Sequence, residues 1–194
     1  QIYIAEAGAR LKGDILEITK FLNPQIVIVG EIGAQHIEYF KTLDNIRATK
    51  LEALQSARLQ RAFLHSSTKK EPSQNIEIYD ENLKDINANL DGISFALDGK
   101  SYTSPLLGKF NATNLAVCIK VARYLKMSDE AIDSALSKMK NVEHRLSKIE
   151  AGGKLIIDDS FNGNFSGMSA SYELVSTYAG RKVLLTPGIV ESDA

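Results

Sequence analysis

Apolar residues in the first part of the chain form short continuous runs that alternate with stretches of helical spacing. Residues 2–5 and 26–29 are such runs, and the second is typical of a strand buried on both faces of a sheet. Residues 14–22 and 44–61 place apolar side chains three and four positions apart, which predicts two helices, with Asn23-Pro24 ending the first. Strand, helix, strand and helix in succession indicate a parallel α/β sheet.

The pattern changes to alternation in the middle of the chain. Residues 76–79 and 93–97 alternate apolar and polar side chains, which predicts exposed strands. Asp98-Gly99 is a hairpin signal that leads into a further strand. The parallel unit is therefore predicted to carry an antiparallel extension, followed by helices at about 112–126 and 129–140.

A second unit is predicted in the C-terminal part of the chain. Two predicted strands at 154–157 and 182–185, each a lysine followed by three apolar residues, flank a helical stretch at 168–178, which is the order of one βαβ unit. This unit is too short to complete an α/β domain. We therefore predict a central domain over residues 1–145 and the start of a Rossmann-like α/β domain over residues 146–194.

The charge balance and composition narrow the class of protein. Lys and Arg number 23 against 24 Asp and Glu, a net charge of −1, which argues against nucleic acid or an anionic membrane held by bulk electrostatics. The single cysteine excludes a disulfide within one chain, and no apolar run reaches the roughly 20 residues of a membrane span. The N-terminus lacks a signal peptide, so we expect a cytoplasmic protein. The abrupt ends of the sequence predict a fragment of a longer chain.

Acidic and polar side chains follow three of the predicted strands. Glu6 follows the first, Glu31 and His36 follow the second, and Asp158-Asp159 follows the strand of the second unit. Ligands of open α/β sheets bind at this carboxyl edge. Each residue alone is more often a helix cap or a solvated loop residue, but their equivalent positions favour a site. A carboxylate with a neutral imidazole is a partial shell for a divalent cation.

Lys50 is the most informative residue of the predicted helix at 44–61. Leu43 and Ile46 stand seven and four positions before it and Leu54 four positions after it, so Lys50 lies on the apolar stripe. One interpretation is snorkelling, with the stem packed and the ammonium in water. The other is a buried lysine with a lowered pKa, available for modification or for a phosphate. Periodicity alone favours snorkelling.

Asn111 and Asn114 open the predicted helix at 112–126. Either is an N-cap by default, and an Asn amide also carries the donor and acceptor that an adenine edge needs. Cys118 lies on the apolar stripe of this helix and is predicted to be a core residue.

Six blocks of the sequence resemble the Mur ligases of peptidoglycan synthesis, in the family's order and at fitting intervals. The Asp-Asp-Ser-Phe-Asn-Gly-Asn block at 158–164 is specific, whereas most of the others are weak singly. It resembles the members that add D-alanyl-D-alanine to UDP-N-acetylmuramoyl-tripeptide. The blocks are residues 6–10 with 13–15, 33–40, 48–52, 108–114, 144–146 with 158–164, and 186–191.

This resemblance implies an ATP-dependent ligase that makes an amide bond, and with it a part in cell-wall formation, cell shape and cell division. The substrate carboxylate is phosphorylated to an acyl phosphate, which the incoming amine attacks, and ATP and Mg²⁺ are the implied cofactors. The resemblance implies a monomer with the UDP-muramoyl tripeptide and D-alanyl-D-alanine as partners. Carried over by position, the Mg²⁺ ligands are Glu6, His36 and carbamylated Lys50, the catalytic residues are Lys50, His36 and Arg145, and the ATP-binding residues are Asn111, Arg145, Asp159 and Asn162.

Two alternatives stay open. One is another ligase of the superfamily, of the folylpolyglutamate or cyanophycin synthetase type, although such relatives usually carry a His-containing loop in place of the block at 158–164. The other is a non-catalytic α/β module that binds a nucleotide or a protein. No segment of the chain supplies the phosphate loop of the family, so we expect these residues alone to be catalytically inactive.

Overall fold

In a computed structural model the chain forms two compact units, Gln1–Glu81 and Asn82–Ala194. The structure describes residues 2–34, 37–161, 165–186 and 188, and of residues 165 and 166 the backbone alone. The domain boundary that the sequence predicts between residues 145 and 146 lies inside the second unit and stays a prediction.

The first unit is built on a parallel sheet of three strands, residues 26–29 (β1), 61–64 (β2) and 76–78 (β3), which lie side by side in that order. Residues 62 and 64 of the central strand are fully buried, and with Val27 and Val29 of the first strand they form the centre of its core. Ile32, Phe40 and Ile46 complete that core. The elements are α1 (Asp14–Leu22), β1 (Ile26–Val29), α2 (Ile37–Phe40), α3 (Leu43–Leu51), a 3₁₀ helix (Glu52–Gln55), β2 (Arg61–Leu64), a 3₁₀ helix (Ser66–Thr68) and β3 (Ile76–Ile78).

The parallel α/β prediction for this unit is confirmed, but three of its elements were wrong. Residues 2–5 form no strand and expose Ile4 to 88%, because β1 pairs with β2 alone in the described residues and an extended segment needs a ladder partner. The helix predicted at 44–61 ends at Leu51, and Arg61, its last predicted residue, is instead the first residue of β2. Strand β3 pairs parallel to β2 and is not part of the antiparallel extension.

Burial on the two faces of β1 also differs from the prediction. Val27 and Val29 are 5% exposed, whereas Ile28 between them is 50% exposed. Successive side chains of a strand point to opposite faces. The described elements therefore bury one face of this strand, while its sequence is apolar on both.

The second unit begins with an antiparallel meander, which confirms the predicted extension and the hairpin at Asp98-Gly99. The turn before its middle strand needs Gly92, because its φ is +139° and an added Cβ would lie 2.2 Å from the Ser104 carbonyl oxygen. Helices follow at the two places predicted, and Ser128 caps the second by accepting from Ala131 N at 3.2 Å. The elements are β4 (Leu83–Asn89), β5 (Gly92–Leu97), β6 (Lys100–Ser104), α4 (Phe110–Tyr124), α5 (Asp129–Ser137), β7 (Ser147–Ala151), β8 (Lys154–Asp158) and α6 (Phe165–Ser176).

The last part of this unit departs from the predicted βαβ order. β8 and α6 are where the sequence places a strand and a helix, but β8 pairs antiparallel with β7, which the sequence analysis missed. Residues 182–185 form no strand and expose Leu185 to 97%. The buried cluster here joins Leu107, Leu146 and Leu174.

Two further predictions concern the burial of Cys118 and the absence of a membrane-spanning helix. Cys118 is exposed, since the buried face of α4 runs through residues 112, 115, 116 and 119 instead. Burial by neighbouring atoms nevertheless raises the pKa of the Cys118 thiol. Among the described residues, no helix combines the length and the apolar character needed to cross a membrane.

Candidate functional site

Lys50 stands in the last turn of α3, half-buried beside two fully buried neighbours. Thr42 caps the start of this helix by accepting from Asn45 N at 3.1 Å, and Ile46 and Thr49 are 2% and 1% exposed. Burial lowers the pKa of the Lys50 ammonium. No described acidic side chain forms an ion pair with it. An amine that is buried and unpaired is more readily neutral, and the neutral amine is the nucleophilic form.

Glu52 is a site residue that the sequence analysis missed. It is 8% exposed, and its carboxylate accepts from Gly13 N at 3.0 and 3.2 Å and from Leu16 N at 3.1 Å. These donors lie at the start of α1, whose N-cap residue provides no side-chain cap. The carboxylate therefore caps α1 and ties it to the segment that follows Lys50. No local signal in the sequence marked Glu52 as the partner of α1, because its donors lie 36 to 39 positions away.

The predicted metal ligands are not brought together in the described part of the chain. Glu6 is exposed on irregular backbone, and His36 lies outside the described residues. Within residues 2–34, 37–161, 165–186 and 188, no three His, Cys, Asp or Glu side chains stand close enough to hold a metal ion. The magnesium site therefore stays a prediction, although carboxylate and imidazole donors suit this cation.

Asn111 lies in the first turn of α4, and half of its hydrogen-bonding capacity is used there. Its Nδ2 donates to Leu107 O at 2.7 Å, and its Oδ1 accepts from Asn114 Nδ2 at 3.2 Å. An Asn amide has two N–H donors and two acceptor lone pairs. One donor and one lone pair of Asn111 are left, which is the pair that an adenine edge would require. The default role was wrong, since Lys109 holds the N-cap position of α4 and no side chain caps the helix there. The predicted contact with adenine stays chemically open.

Arg145 is exposed, and its guanidinium lies over the ring of Phe161, 4.4 Å from the ring centroid. The two segments are also joined by Phe161 N, which donates to His144 O at 3.1 Å. A cation over an aromatic face is held without using its N–H groups. The donors of Arg145 therefore remain available for phosphate oxygens.

A contact between His144 and Asp158 also joins the segments that carry Arg145 and Phe161. His144 Nδ1 lies 2.8 Å from Asp158 Oδ2, and Ser160 N donates to Asp158 Oδ1 at 3.0 Å. The hydrogen bonds with Ser160 and with His144 lower the pKa of Asp158 to about 2, and the hydrogen bond with Asp158 raises the pKa of His144. His144 adopts a φ of +64°, a strained value for this residue that the surrounding contacts must maintain.

Both carboxylate oxygens of Asp159 already accept hydrogen bonds within the protein. Its Oδ1 accepts from Leu146 N at 3.1 Å, and its Oδ2 accepts from the Ser171 hydroxyl of α6. Each carboxylate oxygen keeps a further lone pair, so the predicted contact with ribose is still chemically open. Asn162, the remaining predicted ATP ligand, lies outside the described residues.

Comparison with known proteins relates the chain to one family. The model of the Mur ligase middle domain matches residues 1–122. The UDP-N-acetylmuramoyl-tripeptide--D-alanyl-D-alanine ligase of Bacillus subtilis is 25% identical over 98% of this chain and 45% of its own length. The Escherichia coli ligase of the same name is 24% identical over 98% of the chain and 47% of its own length. The chain spans about half the length of these curated relatives.

Solved structures show the same fold. MurF from Acinetobacter baumannii superposes with a TM-score of 0.77 at 23% identity, covering 89% of this chain and 42% of that one. MurF from Thermotoga maritima in complex with ADP has a TM-score of 0.75 at 23% identity, covering 89% and 44%. The family match takes in well over half of the chain, including Lys50, Asn111 and the parallel sheet. The chain therefore belongs to the Mur ligase middle domain family.

Proposed function

We propose that these residues form part of an ATP-dependent ligase that joins D-alanyl-D-alanine to UDP-N-acetylmuramoyl-tripeptide. The observation that carries the proposal is Lys50, a half-buried amine with a lowered pKa and no ion-pair partner among the described residues. It lies within the segment that matches the family model. The names of the relatives in Bacillus subtilis and Escherichia coli supply the substrates. The proposed enzyme is a cytoplasmic monomer.

Lys50 is the residue that we propose to be carbamylated. The lone pair of its neutral amine attacks the carbon of CO₂, and the nitrogen loses a proton to water, so that the cationic side chain becomes an anionic carbamate. Burial favours this exchange in its first step, because the amine is already shifted toward the neutral form. This explains a lysine on a buried stripe better than snorkelling does.

The donor set fits a magnesium ion. Glu6 and the Lys50 carbamate offer anionic oxygens and His36 offers an imidazole nitrogen, and Mg²⁺ accepts such hard donors while keeping several waters. When bound, the ion supplies neutralisation of the charge that develops on the transferred phosphoryl group. The carboxylate of Glu6 is exposed and so would be accessible to such an ion.

The nucleotide contacts are assigned to the second unit. Asn111 offers its remaining donor and lone pair to the adenine edge, and Asp159 offers its remaining lone pairs to the ribose hydroxyls. Arg145 offers guanidinium N–H groups to the phosphates while Phe161 holds the plane of the side chain. Asn162 is proposed to lie in the same nucleotide loop. With these contacts the chain positions the reactants, which is most of what phosphoryl transfer asks of a protein.

A phosphate-release assay tests the proposal on the polypeptide of the complete reading frame that contains these residues. Release of phosphate is expected to require ATP, UDP-muramoyl-tripeptide and D-alanyl-D-alanine together, and Lys50→Ala is expected to lower kcat by about 1,000-fold, a loss of about 4 kcal/mol in transition-state stabilisation. Lys20→Ala is the matched control, because Lys20 is also a last-turn lysine but is exposed. Added bicarbonate should raise the activity of the wild type and leave Lys50→Ala unchanged.

Two outcomes would redirect the proposal. Release with glutamate-extended or aspartate-extended acceptors in place of the muramoyl peptide would assign the chain to another ligase of the superfamily. A folded polypeptide that binds ATP but releases no phosphate with any acceptor would favour the non-catalytic module.

A further inference from the structure

Three polar side chains lie in contact with one another at the carboxyl ends of β2 and β3. His65 directly follows β2, Ser67 stands in the 3₁₀ helix after it, and Asp80 lies two residues beyond β3. Ser67 Oγ lies 2.8 Å from His65 Nδ1, and His65 Nε2 lies 3.2 Å from Asp80 Oδ2. The side chains of His65 and Asp80 are each 13% exposed. None of the three residues of this Ser67–His65–Asp80 network has a role in the function proposed above.

The surrounding donors fix the direction of these hydrogen bonds. Ser67 Oγ accepts from Ile32 N at 2.8 Å, so its own proton is free to be donated to His65 Nδ1. Ser67 N also donates to Nδ1, at 3.1 Å. With Nδ1 as the acceptor of Ser67 N, the imidazole carries a proton on Nε2, the nitrogen that lies 3.2 Å from Asp80 Oδ2 in an ion-pair contact. Asp80 is itself held by Ser66, from N at 2.8 Å and from Oγ at 2.6 Å.

Ser67 connects two elements that flank the proposed lysine. Its hydroxyl holds Ile32, an 8% exposed residue in the loop after β1. Its carbonyl oxygen accepts from Arg47 Nε at 3.1 Å. Arg47 lies on α3, three positions before Lys50 and so on the same side of the helix. One 3₁₀ turn is thus bonded to the loop after β1 and to the helix that carries Lys50.

We propose that Ser67 is a positioning residue for Lys50, with its hydroxyl oriented by His65 and Asp80. The inference rests on the proposed ligase function, since it gives the network a role in placing the carbamylated lysine. Removal of the hydroxyl leaves Ile32 N without its acceptor and leaves His65 Nδ1 with the donor Ser67 N alone, so the loop after β1 and the turn lose their common anchor. The contacts among these half-buried side chains then loosen together, because Ser67 orients His65, which in turn lies against Asp80.

The order of residue types also resembles that of a hydrolase triad, and the geometry argues against that role. Ser67 Oγ already accepts from Ile32 N, and both Ser67 and His65 belong to one tight turn. A nucleophile must instead present its oxygen to a substrate carbonyl next to donors for the oxyanion. The network is therefore assigned to positioning and not to covalent catalysis.

The experiment compares variants of the complete reading-frame polypeptide by ¹³C NMR after equilibration with ¹³C-bicarbonate. The variants are Ser67→Ala, Ser67→Thr and Ser56→Ala. Ser67→Thr keeps the hydroxyl, whereas Ser56→Ala removes another hydroxyl of the same unit, which donates to Pro24 O at 2.6 Å and has no link to the network. The readouts are the carbamate signal of Lys50, assigned by its loss in Lys50→Ala, and kcat against KM for ATP.

Ser67→Ala is expected to lower carbamate occupancy and kcat about tenfold, the size of one lost hydrogen bond to a buried partner, with KM for ATP changed less than twofold. Ser67→Thr should restore both, and Ser56→Ala should leave both within twofold of the wild type. A wild-type carbamate signal that persists unchanged in Ser67→Ala would overturn this inference alone. A wild type with neither carbamate nor ligase activity would overturn it together with the proposed function.

Discussion

The cap that Glu52 provides for α1 gives the sharpest test of the fold. Glu52→Ala removes the acceptor of two backbone donors, Gly13 N and Leu16 N, which lie 39 and 36 positions away in the sequence. A hydrogen bond to a charged acceptor contributes about 1.5 kcal/mol net, so two such bonds amount to about 3 kcal/mol. The lost charge at the helix N-terminus adds about 0.5 kcal/mol. Local opening of α1 should therefore become about 3.5 kcal/mol easier.

Hydrogen–deuterium exchange of the amides of α1 measures this opening directly in the complete polypeptide. An opening free energy lowered by about 3.5 kcal/mol accelerates exchange about 400-fold when reclosing is fast. Glu52→Gln keeps one acceptor oxygen and should accelerate exchange about tenfold. Glu17→Ala is the control, because Glu17 is an exposed acid in the first turn of the same helix. Exchange in Glu52→Ala within threefold of Glu17→Ala would refute the reasoning.

The remaining predictions concern the second unit. The hydrogen bond to Asp158 stabilises this unit only while Asp158 is ionised and His144 is protonated; Asp158 has a lowered pKa of about 2 and His144 a raised one. The stabilisation is therefore fully present between about pH 4 and 6.5, and it is lost as pH falls through about 2 or rises through the folded-state pKa of His144. NMR titration should show that the pKa of His144 falls toward 6.5 in Asp158→Asn. An unchanged pKa of His144 in this variant would contradict the pairing. Gly92→Ala should destabilise the meander by about 3 kcal/mol, because the added Cβ meets a carbonyl oxygen. Gly99→Ala has open space around the added Cβ and should cost about 1 kcal/mol. Urea unfolding followed by circular dichroism measures both free energies, and equal costs would refute the steric argument. Arg145→Ala should raise KM for ATP about tenfold and Arg145→Lys less, measured by steady-state kinetics, because the lysine keeps the charge without the planar fork; an unchanged KM would remove this residue from the nucleotide site.

Helices and hairpins of this chain were predictable where their signals are local. α1 and α5 begin and end near the predicted positions, and the hairpin at Asp98-Gly99 is present. The helix predicted at 44–61 ran ten residues too far, because apolar residues keep helical spacing through the 3₁₀ turn after Leu51. β2 has four residues, too few for periodicity to register, and it becomes a strand through its pairing with β1 and β3.

The candidate site, like the fold, was predictable only where its sequence signals are local. That Lys50 would lie against the core followed from its neighbours four and seven positions away, and its half-burial is confirmed. The cap by Glu52 and the anchor at Ser67 join residues 36 to 39 and 35 positions apart, respectively. No spacing rule reaches so far. Neither residue type was unusual enough in its own segment to indicate a partner.

The sequence by itself determined the α/β class, most helices, the antiparallel hairpin and the resemblance that the family match later confirmed. These follow from propensity, period and motif, which act over a few neighbouring residues. Tertiary structure alone decided that β3 joins the parallel sheet, that Phe161 lies under Arg145, and that Asp159 is engaged by Leu146 and Ser171. Such pairings depend on which distant segments burial brings together, and the free energy of each contact exists only once both partners are in place.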